Sequence, residues 1–272
     1  MRKRADVVLS AQQNISREKA QLFIMAGRVF LREMRIEKPS VKVEETEKLT
    51  LKYDDKAFAS RGGYKLDKAM DFFNVNVEGL TCLDIGAATG GFTDVLLRRG
   101  AGHVYSIDVG YGQIAWELRQ DKRVTVMERT NARHLTYSDF SMKPSFAVMD
   151  VSFISILKIL PAITRILSGG GRIVTLIKPQ FEAGRENIGK NGVVRDAKAH
   201  CDVIAKIRDS LPKGWHMQNL CFSPITGPKG NIEFLADISE KECFLPDETI
   251  KAVVAKAHET LKTKNELKKN TI

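Results

Sequence analysis

The stretch Leu83-Asp84-Ile85-Gly86-Ala87-Ala88-Thr89-Gly90-Gly91-Phe92-Thr93-Asp94 decides the fold of this chain. Residues 80–85 form an apolar run that reads as a strand, with an acid near its end and a loop of small residues after it. A helix is predicted from about Phe92. Glycines let a backbone approach a ligand closely, and a helix start presents free N–H groups. A pyrophosphate site has the same layout. Here Asp84 stands just before the loop, where a carboxylate repels a pyrophosphate and attracts a cation. The order of acid and glycines therefore favours S-adenosylmethionine (SAM), with its ammonium and sulfonium, over a dinucleotide.

A second apolar run, His103-Val104-Tyr105-Ser106-Ile107-Asp108, also ends in an acid. At the end of the second strand of a doubly wound sheet, Asp108 is placed to accept both hydroxyls of an adenosine ribose. Further strands are predicted near 123–128, 145–150 and 171–177, and helices near 113–119, 154–167 and 196–211. Pro161 is expected to kink the helix over 154–167. Residues 215–223 and 232–238 then read as two strands with no helix between them, an antiparallel pair that closes the sheet. The expected architecture is α/β: a Rossmann-like SAM methyltransferase fold, seven-stranded with its last strand reversed. A last helix is predicted over 248–261, ahead of a Lys-rich end.

Composition sets the class of partner. The chain has 272 residues and a formal net charge of +10, with a pI near 9.4. That balance points to a polyanion, nucleic acid before membrane. The most apolar region, 146–167, is interrupted by Asp150, Lys158, Pro161 and Arg165, so no run reaches the roughly 18 residues of a membrane helix. No apolar segment follows the basic Met1-Arg2-Lys3-Arg4, so a cytoplasmic location without a leader is expected. Cys82, Cys201, Cys221 and Cys243 lack metal-ligand spacing and are expected as free thiols, with no metal centre.

Residues 1–58 differ in character from the rest. Val7, Val8 and Leu9 are apolar, and a second helix is predicted from Ser16, a good N-cap, with Ala20, Phe23, Ile24 and Gly27 on one face. Gly27 is expected to close it. A strand at 28–31, a turn at Lys38-Pro39-Ser40 and a strand pair at 41–43 and 49–51 complete a small α+β module, and 52–60 read as a polar linker. The pattern Arg4-Ala5-Asp6-Val7-Val8-Leu9, Ile15-Ser16-Arg17-Glu18-Lys19-Ala20 and Gly27-Arg28-Val29-Phe30-Leu31 resembles the S-four RNA-binding module. The resemblance implies Arg4, Arg17, Lys19 and Arg28 as phosphate contacts. Where that module commonly turns on Asn-Gly, this chain has Arg32-Glu33-Met34-Arg35.

Three charged residues stand at predicted strand ends: Asp150 after Phe146-Ala147-Val148-Met149, Lys178 after Ile173-Val174-Thr175-Leu176-Ile177, and Glu233 before Phe234. In a doubly wound sheet these meet at the ligand-binding edge. A Lys flanked by two carboxylates keeps its charge and polarises a weakly acidic hydroxyl, such as that of a sugar. A structural ion pair is the competing reading for any one of them.

Lys65, Asp150, Lys178 and Glu233, in that order, resemble the Lys-Asp-Lys-Glu tetrad of the FtsJ-type ribose 2′-O-methyltransferases. The resemblance implies that Lys178 activates the 2′-hydroxyl, the two acids orient it, and Lys65 holds substrate. Ser60-Arg61-Gly62-Gly63, Asp150-Val151-Ser152-Phe153-Ile154-Ser155, Lys178-Pro179-Gln180-Phe181-Glu182 and Gly192-Val193-Val194-Arg195 are similar to the TlyA family, from Arg4 to Asp237, with Ala88 where a Ser is common. That family joins an S-four module to a methyltransferase domain, here 1–58 and 59–240, leaving 241–272 as a C-terminal helix and basic tail. It methylates cytidine riboses of ribosomal RNA, and its members were first named haemolysins. The implied cofactor set is Asp84, Gly86, Ala87, Thr89, Gly90, Gly91, Phe92, Asp108, Val109, Asn131 and Asp150. The implied partners are ribosomal RNA or ribosomal subunits; no membrane is expected to be required, and a monomer is the default expectation.

Rival chemistries leave different marks. Amine methylation commonly uses Asn/Asp-Pro-Pro-aromatic after the fourth strand, where this chain has Asp150-Val151-Ser152-Phe153. A 5-methylcytosine enzyme needs a nucleophilic Cys there, and none lies between Cys82 and Cys201. A cytolysin would need a membrane-inserting segment. An RNA-binding or assembly factor with a vestigial SAM fold is opposed by the intact Asp84, Asp108 and tetrad.

Overall fold

The structure, a computed structural model, describes residues 2–25, 27–51, 57–167, 169–189 and 191–269. The chain divides into two compact units, Met1–Arg61 and Gly62–Ile272.

In the first unit, β1 (Arg2–Arg4) leads into α1 (Ala5–Gln13) and α2 (Arg17–Met25), followed by β2 (Val29–Leu31), β3 (Met34–Arg35), β4 (Lys42–Glu44) and β5 (Leu49–Leu51). The Ser16 hydroxyl accepts the Lys19 N–H at 3.2 Å, the predicted cap. Ala20, Phe23 and Ile24 turn inward onto Val8, Leu9 and Val29. The strands predicted at 41–43 and 49–51 form but do not pair with each other. β4 pairs with β1, and β5 with β2. The strand character of Arg2–Arg4 was hidden because all three residues are charged. Arg32 adopts φ +57° in the two-residue turn between β2 and β3, the position an Asn or Gly usually fills. Of the predicted linker, 52–56 lie outside the described residues.

The second unit is built on seven strands: β6 (Thr81–Ile85), β7 (His103–Ile107), β8 (Val124–Met127), β9 (Phe146–Met149), β10 (Arg172–Ile177), β11 (His216–Phe222) and β12 (Phe234–Ser239). Their order is β11-β12-β10-β9-β6-β7-β8, and β12 runs antiparallel to both neighbours. The sequence expectation of a doubly wound α/β sheet with a reversed last strand holds. The strands of the middle are mainly apolar because helices cover both faces. Those helices are α3 (Gly62–Phe72), α4 (Gly91–Arg98), α5 (Trp116–Arg119), α6 (Leu160–Leu167), α7 (Pro179–Glu182), α8 (Ala197–Asp209) and α9 (Asp247–Lys269).

Three helices differ from expectation. The helix predicted over 154–167 is split into a 3-10 turn at Ile156–Lys158 and α6. Pro161 then falls in the first turn of α6, where its missing N–H costs nothing, so it starts a helix rather than kinking one. The pattern of residues 66–73 predicts a helix that starts at Leu66; the observed one begins four residues earlier, at Gly62, and thereby includes Lys65. The last helix runs well past residue 261. Its residues Ile250, Val254 and Ala257 pack into the core of the sheet with Ile204, Ile207 and Trp215, so this part of 241–272 belongs to the second unit's core. Among the described residues no helix is long and apolar enough to cross a membrane.

Candidate active site

Strand register brings the charged residues together. Ile177 pairs with Phe234 as the last residue of β10 and the first of β12. Because β12 is reversed, Lys178 leaving one strand and Glu233 entering the other reach the same edge. Asp150 follows β9 and donates its backbone N–H to the Ile85 carbonyl of β6 at 2.9 Å. The edge is therefore the one from which the glycine loop also emerges, where open α/β sheets bind ligands.

The loop is shaped for close approach. Gly86 has φ +84°, and a Cβ there would stand 2.4 Å from the Asp150 carbonyl oxygen. Only glycine lets the loop pass under the end of β9. Ala88 takes φ +46° at the exposed crest. Asp84 is fully buried, one residue short of the strand end, rather than open at the mouth of the loop. Its Oδ2 accepts the Thr93 hydroxyl of α4 at 2.6 Å, and Thr93 in turn lies 2.7 Å from the Ser106 hydroxyl of β7. Asp84 Oδ1 has no hydrogen-bond partner among the described residues. Burial pushes the Asp84 carboxyl up to about 7; the Thr93 bond works against this, while the Asp150 and Asp108 carboxylates add to it.

Asp108 is already engaged. Its Oδ2 accepts the Ala88 N–H at 2.9 Å and its Oδ1 the Gly110 N–H at 2.7 Å, tying together the loops after β6 and β7. Each oxygen keeps a second lone pair for a ribose hydroxyl. The remaining residues of the expected cofactor set line the same run of loops. Ala87, Gly90, Gly91 and Phe92 are buried, Thr89 accepts the Ala115 N–H at 3.2 Å, and Val109 is exposed. Asn131 caps the turn Ala132–His134 through the Arg133 N–H. An unpartnered buried carboxylate oxygen, two further acids and a glycine cradle fit a cationic ligand of SAM's kind.

The four tetrad residues form two ion pairs. Lys65 Nζ lies 2.6 Å from Glu233 Oε2, with both side chains buried. Lys178 Nζ lies 2.6 Å from Asp150 Oδ1, but its directed hydrogen bond goes to Ser152 Oγ at 2.8 Å. The contact with Asp150 is thus ionic without hydrogen-bond alignment, and Asp150 Oδ1 counts among the unpartnered acceptors. Lys178 was expected to be flanked by both acids, and here Glu233 is turned to Lys65 instead. Gln180 Nε2 reaches Glu233 Oε1 at 3.3 Å. Gly227 backs the same carboxylate, since a Cβ there would meet Glu233 Oε1 at 2.1 Å. Phe153, 90% exposed with φ +65°, packs with its ring tilted by 48° against Phe181 at 5.0 Å, and the Phe181 ring lies 5.9 Å from Lys178 Nζ. Ser152, Gln180 and Phe181 fall within motifs quoted from the sequence but carry no role of their own there, and Gly227 was not singled out. The first three sit within four residues of a predicted strand end, which was the available signal.

In the first unit, two of the four expected phosphate contacts have another duty. Arg4 donates to both oxygens of the buried Asp6, at 2.9 and 3.0 Å, and Arg17 to Asp6 Oδ2 at 3.1 Å. The Arg4 hydrogen bonds hold the Asp6 carboxyl well below the usual carboxylate range, against its burial. Lys19 leans over the Phe23 ring at 5.9 Å, and Arg28 is half-buried just after α2.

Comparison with known proteins agrees with this geometry. The family described as FtsJ-like methyltransferase matches residues 58–238. A Bacillus subtilis protein provisionally named rRNA methyltransferase YqxC is 49% identical over 256 residues, 92% of this chain and 91% of that one. The Mycobacterium tuberculosis protein named 16S/23S rRNA (cytidine-2′-O)-methyltransferase TlyA is 46% identical over 221 residues, 80% of this chain and 82% of its own length. A solved structure from Streptococcus thermophilus, provisionally named a hemolysin, superposes with a TM-score of 0.77 at 45% identity, covering 97% of this chain and 98% of that one. With most of its length matched at these identities and residues 58–238 matched by the family, this chain belongs to the FtsJ-like methyltransferase family.

Proposed function

We propose that this protein is a SAM-dependent methyltransferase acting on the ribose 2′-hydroxyl of cytidine in ribosomal RNA. The observation that carries the reading is Lys178, ion-paired to Asp150 and hydrogen-bonded to Ser152 at the sheet edge where Gly86 opens the loop. The name of the M. tuberculosis relative supplies the substrate class.

SAM, when bound, supplies a methyl group on a positively charged sulfur, which keeps the C–S bonding pair as an oxygen lone pair takes the carbon. The protein's own residues do the rest. Asp84, Asp108 and the N–H groups around Gly86–Gly91 hold the cofactor, and the acids favour its cationic end. Lys178 donates a hydrogen bond to the ribose oxygen, fixing the direction of its lone pair and lowering the cost of losing its proton. Asp150, paired to Lys178, takes that proton late in the transfer and passes it to solvent. Lys65 and Glu233 neutralise each other and hold the substrate side of the site in a fixed shape. Phe153, braced by Phe181, offers an exposed ring face on which the target base stacks, with the nucleotide turned out of its helix.

The N-terminal unit supplies RNA affinity. Lys19 and Arg28 serve as phosphate contacts, and Arg4 and Arg17 reach RNA only with the charge left after pairing to Asp6. The protein works as a cytoplasmic monomer on ribosomal subunits. The test is transfer of labelled methyl from SAM to subunits lacking native modification. A single site resistant to alkaline cleavage supports the reading, and label confined to a base refutes it.

A further inference from the structure

Gln180 holds an acceptor that no described residue uses. Its Oε1 is buried and has no hydrogen-bond partner among the described residues. The orientation of the amide is set by chemistry: Glu233 is an acceptor, already ion-paired through Oε2 to Lys65, so the group 3.3 Å from its Oε1 has to be the Gln180 NH2. The carbonyl oxygen is thereby turned away from Glu233 and left bare, two residues beyond Lys178. Buried acceptors are rarely left so, and those that are commonly mark a ligand contact.

An amide oxygen can pair only with a donor, and a cytidine within an RNA chain has just two kinds. One is the 2′-hydroxyl; the other is the exocyclic amine of the base. The phosphates, the ring oxygen, the esterified 3′- and 5′-oxygens and the remaining base atoms only accept. Gln180 is bonded to one tetrad residue and stands beside another, so the donor that comes to it is the one the tetrad surrounds. We propose that Gln180 Oε1 accepts the hydrogen bond of the ribose 2′-hydroxyl before reaction. With its proton held there, the oxygen turns a lone pair toward the incoming methyl carbon; the amide oxygen does not take the proton, which passes to Asp150 as the O–C bond forms. Gln180 is then the residue that requires a 2′-hydroxyl at this position. The inference rests on the 2′-O-methyl reading above and adds to it a third residue, beside Lys178 and Asp150, that touches the reacting hydroxyl.

The test compares wild type, Gln180→Met and Gln180→Glu in transfer of labelled methyl from SAM to ribosomal subunits lacking native modification. Transfer by wild type establishes the underlying reading separately; if wild type labels no ribose, both the reading and this inference fall. Met matches the length of Gln and removes the acceptor. It is expected to lower kcat by roughly 10- to 30-fold, the effect of one hydrogen bond to a buried group, with KM for subunits and affinity for SAM within about twofold. Glu keeps the acceptor but sets a like charge against Glu233. Its activity is expected to rise as pH falls, because the neutral acid both donates and accepts. A Gln180→Met enzyme within twofold of wild type in kcat would overturn the inference. So would a Gln180→Glu pH profile parallel to that of wild type, since a merely structural amide would give one. Digestion to nucleosides decides between the two donors: 2′-O-methyluridine among the Gln180→Met products would assign Oε1 to the base amine and also overturn it.

Discussion

Glu233→Gln separates the structural from the chemical role of the tetrad. The Lys65–Glu233 pair is almost completely buried, at 10% and 0% side-chain exposure, with Nζ and Oε2 2.6 Å apart. Removing one charge of a buried pair strands the other in a poorly solvated site, at about 3–5 kcal/mol. Gln180 gives Glu233 a second bond that a Gln side chain satisfies less well, so the upper half of that range applies. With about 2–4 °C of Tm per kcal/mol for a domain of this size, Glu233→Gln is expected to melt roughly 8–20 °C below wild type. The double variant Lys65→Met/Glu233→Gln removes both charges and is expected to recover most of that loss. Activity should not follow: both variants stay impaired in transfer, because the charges shape the substrate side of the site. Differential scanning fluorimetry and urea unfolding read the first part, and labelled methyl transfer the second. A single variant within about 1 kcal/mol of wild type, below the usual cost of breaking such a pair, would refute the reasoning. A double variant no more stable than the single one would do the same.

Other expectations follow from the loop and from the first unit. Asp84 has a folded-state pKa of about 7, above the ordinary 3.8, so the native state binds a proton more readily than the unfolded chain. Its contribution is therefore full below pH 4 and is lost as pH rises through about 7. Asp84→Asn should flatten the fall in Tm between pH 5 and pH 8, and an unchanged slope would show that another group sets it. Gly86→Ala meets the Asp150 carbonyl and a positive φ together. Calorimetry should find no SAM binding in that variant while circular dichroism finds the fold retained. Arg28→Ala should weaken RNA binding and reduce the salt slope by about one, with no loss of Tm. Arg17→Ala, by contrast, should cost stability as well, because Arg17 pairs with the buried Asp6.

Much of this architecture was readable before any coordinates. Strands β6, β7, β9 and β10 are apolar, bounded by glycine, acid or lysine, and buried on both faces, so hydrophobic pattern alone located them. The antiparallel closure by β11 and β12 was legible because no helical periodicity lies between them. Less visible were features set by long-range contact. Arg2–Arg4 looks like a basic tail, and only pairing with Lys42–Glu44 makes it a strand. Asp84 looked like an open carboxylate, and only the approach of Thr93 on α4 shows it sealed in the core. The tetrad was found as four residues in order, but its division into Lys65–Glu233 and Asp150–Lys178 depends on where α3 lies, and α3 begins with two glycines that propensity rules disfavour. Gln180 and Ser152 lie inside the quoted motifs, but their contacts with Glu233 and Lys178 were not legible, because a polar residue after a strand carries no pattern of its own.

The most direct test of the central claim is methyl transfer by Lys178→Ala measured beside its SAM affinity. The account predicts wild-type label in 2′-O-methylcytidine, none above background in the variant, and a SAM dissociation constant unchanged within about twofold, since Lys178 acts on the ribose oxygen and not on the cofactor. Lys178→Ala that still methylates at the wild-type rate would contradict it, as would label that appears on a base.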